Sequence, residues 1–143
     1  MLELEKICES NLYRYKEYEK VYETDLSEYQ SRIYPSETAE KLCWYHIKCA
    51  NNYIGAVWLE KEAKNDFAVL GIFICDKAYR NKGIGTKAIQ QIFKNDLSVI
   101  GTDKVILRVR ESNKRAISCY KKSGFKETQR YTKNGIDIIE MIY

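Results

Sequence analysis

Hydrophobic and polar positions divide the 143-residue chain into short blocks of different period. Leu2 and Leu4 alternate with Glu3 and Glu5, which predicts a short edge strand over 1–7. From Ser10 to Gln30, Leu12, Tyr15, Tyr18, Tyr22, Leu26 and Tyr29 step by three or four, the spacing of a helix. Pro35, the only proline, breaks the pattern after it. LCWYHIKCA (42–50) and YIGAVWLEK (53–61) flank Asn51-Asn52 and predict a hairpin on a two-residue turn. AVLGIFIC (68–75) is apolar throughout and reads as a buried strand, the third of an antiparallel meander. Ile84, Ala88, Ile89, Ile92 and Phe93 then recur at helical spacing, predicting a helix from 84 to about 95.

Beyond it Val105, Leu107 and Val109 alternate with Ile106, Arg108 and Arg110, a strand over 103–110 half exposed on one face. Residues 113–122 predict a short helix with Ala116, Ile117, Cys119 and Tyr120 inward, ended by Gly124. Two strands, 125–132 and 136–143, close the chain around Lys133-Asn134-Gly135 as an Asn-Gly hairpin. The sum is an α/β (α+β) fold in a single domain, 1–143. About seven strands form a mixed, mostly antiparallel sheet with three to four helices. The one β-α-β crossover, from 67–75 to 104–110, predicts a central parallel pair. It also puts Arg80–Thr86 at the C-terminal edge of the sheet, where ligands bind open α/β sheets.

Composition changes this picture little: 45% hydrophobic and 31% charged is ordinary for a globular domain. No apolar stretch approaches the ~18 residues of a membrane span, and the acidic, mixed MLELEKICES is unlike a secretory leader. Cys8, Cys43, Cys49, Cys75 and Cys119 are odd in number and form no CxxC pair, which argues for free thiols and a cytoplasmic location. No His/Cys/Asp cluster has metal-ligand spacing, so no metal is expected. A net charge of +4 without a basic run gives no reason to expect nucleic acid, and no membrane partner is expected. The distribution is more telling, with acids gathered over 17–40 and cations over 80–126. That polarity suits an anionic ligand on the second half and a cationic one near the first.

Between the buried strand and the following helix lies Arg80-Asn81-Lys82-Gly83-Ile84-Gly85-Thr86. A cationic, glycine-containing turn opening a helix presents free backbone N–H groups, a ready site for phosphate. It is not a Walker loop, because Lys82 precedes the glycines. Gly83-x-Gly85-x-x-Ala88 matches the loose dinucleotide fingerprint. However, the turn lies too far from Cys75, and the next strand ends in Arg108 and Arg110 instead of an acid.

Arg80-x-x-Gly83-x-Gly85 resembles the [Q/R]-x-x-G-x-[G/A] signature of the GCN5-related N-acetyltransferases, which bind acetyl-CoA. VILRVRESNKRAISCYKKSGF (105–125), with Asn113, Ala116, Tyr120, Gly124 and Phe125, resembles the family's strand and N-x-x-A-x-x-x-Y-x-x-x-G-F helix. The resemblance covers 53–143 and is greatest to the small bacterial ribosomal-protein and N-terminal acetyltransferases. It leaves 1–50 as the acceptor-side region.

The resemblance implies an enzyme moving an acetyl group from acetyl-CoA to an amine, on a small molecule or a protein, by direct transfer in a ternary complex. Phe73, Ile74 and Cys75 would give backbone contacts to the acetyl and pantetheine part. Asn81, Lys82, Gly83, Ile84, Gly85 and Thr86 would wrap the pyrophosphate, with Arg80 supporting the turn or approaching a phosphate. Asn113 would hydrogen-bond the pantetheine arm, and Tyr120 would donate to the leaving thiolate. The sheet would splay between the two parallel strands. Monomer and homodimer both remain open.

The chain departs from the family at the base. A glutamate five residues before the asparagine is here Arg108, and a glutamate early in the strand before the turn is here Val69. Glu60, Asp66, Glu111, His46 and a water relay remain, and no base is assigned. An acyl-cysteine route through Cys75 or Cys119 is disfavoured, since buried thiols are inert. Loss of both bases leaves one alternative, a non-catalytic acyl-CoA-binding sensor.

Overall fold

The computed structural model describes residues 1–143 as a seven-stranded sheet with helices on both faces. The strands are β1 (Leu2–Lys6), β2 (Lys41–Cys49), β3 (Asn52–Lys61), β4 (Ala68–Ile74), β5 (Val105–Arg110), β6 (Lys126–Lys133) and β7 (Ile136–Ile142). Their order across the sheet is β1-β2-β3-β4-β5-β7-β6. All neighbours are antiparallel except β4 and β5, the pair joined by the crossover through α2 (Ile84–Ile100). The expected α/β class, meander and central parallel pair are all present.

Three boundaries differ from expectation. The β2–β3 turn falls on Ala50-Asn51, both at positive φ (50° and 67°), so Asn52 pairs with Cys49 and is the first residue of β3. A bulge accounts for the shift: Ile47 faces Gly55 while Lys48 faces Tyr53, so Ile54 is an extra residue in β3. The second helix runs on to Ile100, because Ile100 stays buried on the same face and only Gly101, at φ 83°, ends it. The N-terminal helical region is broken into a 3-10 turn (Leu12–Arg14), α1 (Tyr15–Val21) and a wider π-type turn (Tyr22–Leu26). There the Ser27 N–H reaches back five residues to the Tyr22 carbonyl. The terminal hairpin turns on Asn134-Gly135 as predicted, both residues at positive φ.

Strand alternation sorts the side chains onto two faces. On one, Val57, Leu59, Leu70, Ile72, Val105, Leu107 and Met141 pack under α2, whose Ala88, Ile89 and Ile92 are buried, and beside Tyr120 of α3 (Lys114–Lys122). Each fully buried aliphatic chain of this size contributes about 1.5–3 kcal/mol. On the other face Ala56, Trp58, Phe73 and Cys75 pack against Tyr15, Tyr18, Leu26 and Ile33. Tyr15 sits at its centre, edge-on to Tyr18, Trp44 and Phe73. The tyrosine-rich first third thus supplies a lid of packed rings whose hydroxyls are bonded: Tyr15 donates to the Ile33 carbonyl at 2.8 Å, and Tyr18 meets His46 Nδ1 at 3.0 Å. No helix is long and apolar enough to cross a membrane.

Candidate active site

β4 and β5 are paired only at Ala68–Val105 and Val69–Ile106. Beyond those two positions the strands part. The Ala68 N–H crosses to the Lys104 carbonyl on the β5 side (2.9 Å), whereas the Cys75 N–H crosses to the Ile54 carbonyl on the β3 side (2.8 Å). Main-chain groups alternate in direction along a strand, so those of Leu70, Ile72 and Ile74 face the gap and those of Val69, Gly71, Phe73 and Cys75 face β3. Alternation therefore narrows the expected backbone contacts. Of Phe73, Ile74 and Cys75, only Ile74 presents its main chain to the gap, and Ile72 joins it. The side chains of Phe73 and Cys75 lie in the aromatic cluster, and Cys75 Sγ donates to the Ile54 carbonyl at 3.2 Å. Burial pushes the Cys75 thiol up to about 11, which keeps it protonated and removes it as a nucleophile.

The glycine turn closes one mouth of the gap. The Asp76 carboxylate accepts from the Ala78 N–H at 3.0 Å and starts a tight turn over Lys77–Tyr79. Arg80 Nε donates to the Ile74 carbonyl at 3.1 Å, while its Nη2 is buried without a protein partner. Burial, then the neighbouring cation of Arg115, holds the Arg80 pKa below its usual value. Asn81 and Gly83 both take positive φ, 61° and 75°. A Cβ at Gly83 would meet nothing within 4 Å, so glycine answers the backbone angle there and not a lack of room. α2 begins at Ile84, and its first intrahelical bond runs from the Lys87 N–H to the Gly83 carbonyl at 3.1 Å. The N–H groups of Ile84, Gly85 and Thr86 are therefore free, and no acid stands in that first turn. Lys82 is exposed beside them.

These elements enclose a cavity of about 250 Å³ lined by Ile72, Ile74, Arg80, Gly83, Asn113 and Tyr120, among others. Asn81, Ile84, Gly85 and Thr86 also reach it, whereas Phe73, Cys75 and Lys82 do not. Asn113 Oδ1 caps α3 by accepting from the Ala116 N–H at 3.3 Å, which leaves its Nδ2 as the available donor. Tyr120 is buried and its hydroxyl has no protein partner; burial raises its pKa, so the phenol stays protonated. A cradle of unpaired amides, unpartnered Arg80 and Asn113 donors and a slot between strands fits a pyrophosphate with a narrow polar arm behind it.

Tyr120, Ile72, Tyr29 and Gln30 also border a second cavity, of about 500 Å³, on the α1 face of the sheet. Its wall includes Trp58, Gly71, Arg108, Arg110, Tyr131 and Ile138. Both positions where the family resemblance led us to expect a glutamate base, Val69 and Arg108, are on this wall. The alternatives lie elsewhere. Glu60 is saturated by Arg32, Trp58 Nε1 (2.7 Å) and the Ser36 N–H (3.1 Å). Asp66 pairs with Lys104 at the far end of β4, and Glu111 pairs with Arg130. His46 is fully buried between the Tyr18 hydroxyl and the Asn11 carbonyl. Since a carbonyl only accepts, His46 carries its proton on Nε2 and accepts from Tyr18 at Nδ1, and burial holds its pKa down.

Ile72 lies in a run that is apolar throughout, and only the register of β4 with β3 shows that its main chain faces the gap. Tyr29, Gln30 and Arg32 reach the site only through the fold, and no local signal marks them.

A parted parallel pair, a turn with free amides and a buried tyrosine lining the cavity between them are the features expected of an acyl-CoA-dependent transferase. The acetyltransferase (GNAT) family matches residues 4–125, and the chain belongs to it, a family of acetyl-CoA-dependent acetyltransferases. A curated N-alpha-acetyltransferase of Sulfurisphaera tokodaii is 47% identical over 51 residues, 36% of this chain and 30% of that relative's length. Among solved structures, RimL, a ribosomal-protein alpha-N-acetyltransferase in complex with coenzyme A, superposes with TM-score 0.80 at 16% identity over 99% of this chain and 93% of that one. The aminoglycoside acetyltransferase AAC(6')-Ib with coenzyme A gives 0.77 at 18% identity over 100% and 94%. At these identities the two structures share the fold.

Proposed function

We propose that the protein transfers an acetyl group from acetyl-CoA directly to an amine, with both substrates bound at once. The observation that carries this reading is the shared wall of Ile72, Tyr120, Tyr29 and Gln30, where a cavity behind the glycine turn adjoins a second cavity. Two substrates, one in each cavity, would meet there without a covalent enzyme intermediate. The free amides of Ile84, Gly85 and Thr86, with Asn81, Lys82 and Gly83 shaping the turn, would hold the pyrophosphate, and Arg80 Nη2 would donate to it. Asn113 Nδ2 and the main chain of Ile72 and Ile74 would hold the pantetheine arm, and one of those N–H groups would polarise the thioester carbonyl. The protonated Tyr120 hydroxyl would donate to the sulfur as it leaves.

No carboxylate or imidazole lines the second cavity. The amine would therefore enter neutral, after losing its proton to solvent. An aminoglycoside acetyltransferase and an alpha-N-protein acetyltransferase share this fold, and both act on amines. The test is acetyl-CoA-dependent release of free thiol across a panel of amines, with the acetylated product identified by mass. Turnover that needs the amine supports direct transfer. Tight acetyl-CoA binding without turnover on any amine would favour the sensor alternative, for which the missing base is the one favouring observation.

A further inference from the structure

The charge on the acceptor-side cavity points to the acceptor's chemical class, an inference that rests on the proposed transferase reading. Four cationic side chains line that cavity, Arg32, Arg108, Arg110 and Lys133, and no aspartate or glutamate does. Two of the four are neutralised nearby. Arg32 pairs with Glu60 at 3.0 Å, and Arg108 Nε pairs with Glu140 Oε1 at 3.3 Å, with Glu140 Oε2 taken by Gln129. The other two are not. Arg110 Nη1 donates to the carbonyls of Ser27 (3.0 Å) and Glu28 (2.8 Å), and its Nε to Ser31 Oγ (3.4 Å), all uncharged acceptors. Lys133 forms no ion pair and stands at the start of the β6–β7 turn. The acid-rich stretch over 17–40 changes nothing here, since it contributes Tyr29, Gln30, Ser31 and Arg32 to the wall and no carboxylate.

We infer that the acceptor is an amine whose carrier bears a carboxylate close to the reacting nitrogen, bound by Arg110 and Lys133. The charge of 17–40, which suggested a cationic acceptor, lies off the cavity wall, and the wall itself favours an anionic group. A net positive wall repels polyamines and attracts a carboxylate, and because Lys133 is exposed the attraction is screened by salt. A free amino acid and the N-terminus of an acidic peptide share this chemistry.

The experiment compares kcat/KM at saturating acetyl-CoA for matched acceptors. One arm pairs amino acids with their carboxamides. The second pairs short peptides carrying Asp or Glu at positions two and three with the same peptides carrying Lys, and spermidine serves as the polycation. The carboxylate-bearing members are expected to lead by at least tenfold, the larger lead in either arm naming the source, and the lead is expected to shrink with added salt. Lys133→Glu, on an exposed turn, is expected to erase most of it, and Arg110→Gln to do so with a loss of binding to the 27–31 segment. Spermidine or the lysine peptides matching or exceeding the acidic ones would overturn the inference and leave the transferase reading intact. Absence of turnover on every amine, with acetyl-CoA still bound, would overturn both.

Discussion

Arg80 Nε donates a 3.1 Å hydrogen bond to the carbonyl of Ile74 and so ties the phosphate-type turn to the end of β4. The same guanidinium leaves Nη2 buried and unpartnered at the cavity. One residue thus orients the turn and offers a donor. A hydrogen bond to a charged group is worth about 1.5–3 kcal/mol. Arg80→Ala is expected to raise the dissociation constant for CoA about 10- to 100-fold by calorimetry, since 1.4 kcal/mol is tenfold. Arg80→Lys keeps the charge but not the fork and is expected to recover part of the loss. Unchanged affinity in both variants would detach Arg80 from the site.

Tyr120 is kept neutral by burial and has no partner of its own. A positioned general acid contributes about 10²–10⁴-fold. Tyr120→Phe is expected to lower kcat about 10²-fold or more with CoA affinity within about twofold. Because burial raises this phenol's pKa, wild-type kcat is expected to show no alkaline fall from Tyr120 up to about pH 10, its ordinary value. A wild-type kcat in Tyr120→Phe would reduce the residue to packing.

Gly71 makes room for the Trp58 indole: a Cβ there would stand 2.1 Å from Trp58 Cε2 and Cζ2. The indole is pinned by its Nε1–H bond to Glu60 and cannot swing away freely. Gly71→Ala is expected to cost about 1–3 kcal/mol by overpacking, and to shift tryptophan fluorescence. Both residues line the second cavity, proposed to take the acceptor, so the KM for the amine is expected to rise more than that for acetyl-CoA. Wild-type stability and KM values in this variant would show that the indole relocates at no cost.

His46 carries a depressed pKa because it is buried, neutral and bonded on both nitrogens. The unfolded histidine titrates near 6.5 and the folded one below it, so the unfolded state binds more protons as pH falls. Stability from His46 is fully present above about pH 6.5 and is lost as pH drops through the folded value. The urea midpoint is expected to fall between pH 7.5 and 5.5, and to fall less in His46→Gln. Equal slopes in the two proteins would assign the loss to other groups.

Long periodic blocks carried most of the fold. Ile84, Ala88, Ile89 and Ile92 marked α2, and the unbroken run over 68–75 marked β4, because core burial imposes its period directly on the sequence. The bulge at Ile54 leaves no local signature, so the pattern places the β2–β3 turn one residue late, and α2 runs past 95 until Gly101 stops it. At the site, the turn and the Asn113–Phe125 block were readable as spaced motifs. Direction was harder: Phe73 and Cys75 share the strand with Ile72 and Ile74, and only the register with β3 shows which amides face the gap. The cations of the second cavity, Arg32, Arg110 and Lys133, come from distant segments, so its charge has no counterpart in any local stretch of sequence.

Product analysis after incubation with acetyl-CoA and the carboxylate-bearing amines separates acetyl transfer from acetyl-CoA binding alone. An acetylated amine is expected, with one free thiol released per product and loss of both in Tyr120→Phe with CoA still bound. Thiol release without an acetylated amine, or product formation that survives in Tyr120→Phe at the wild-type rate, would contradict the proposed transfer.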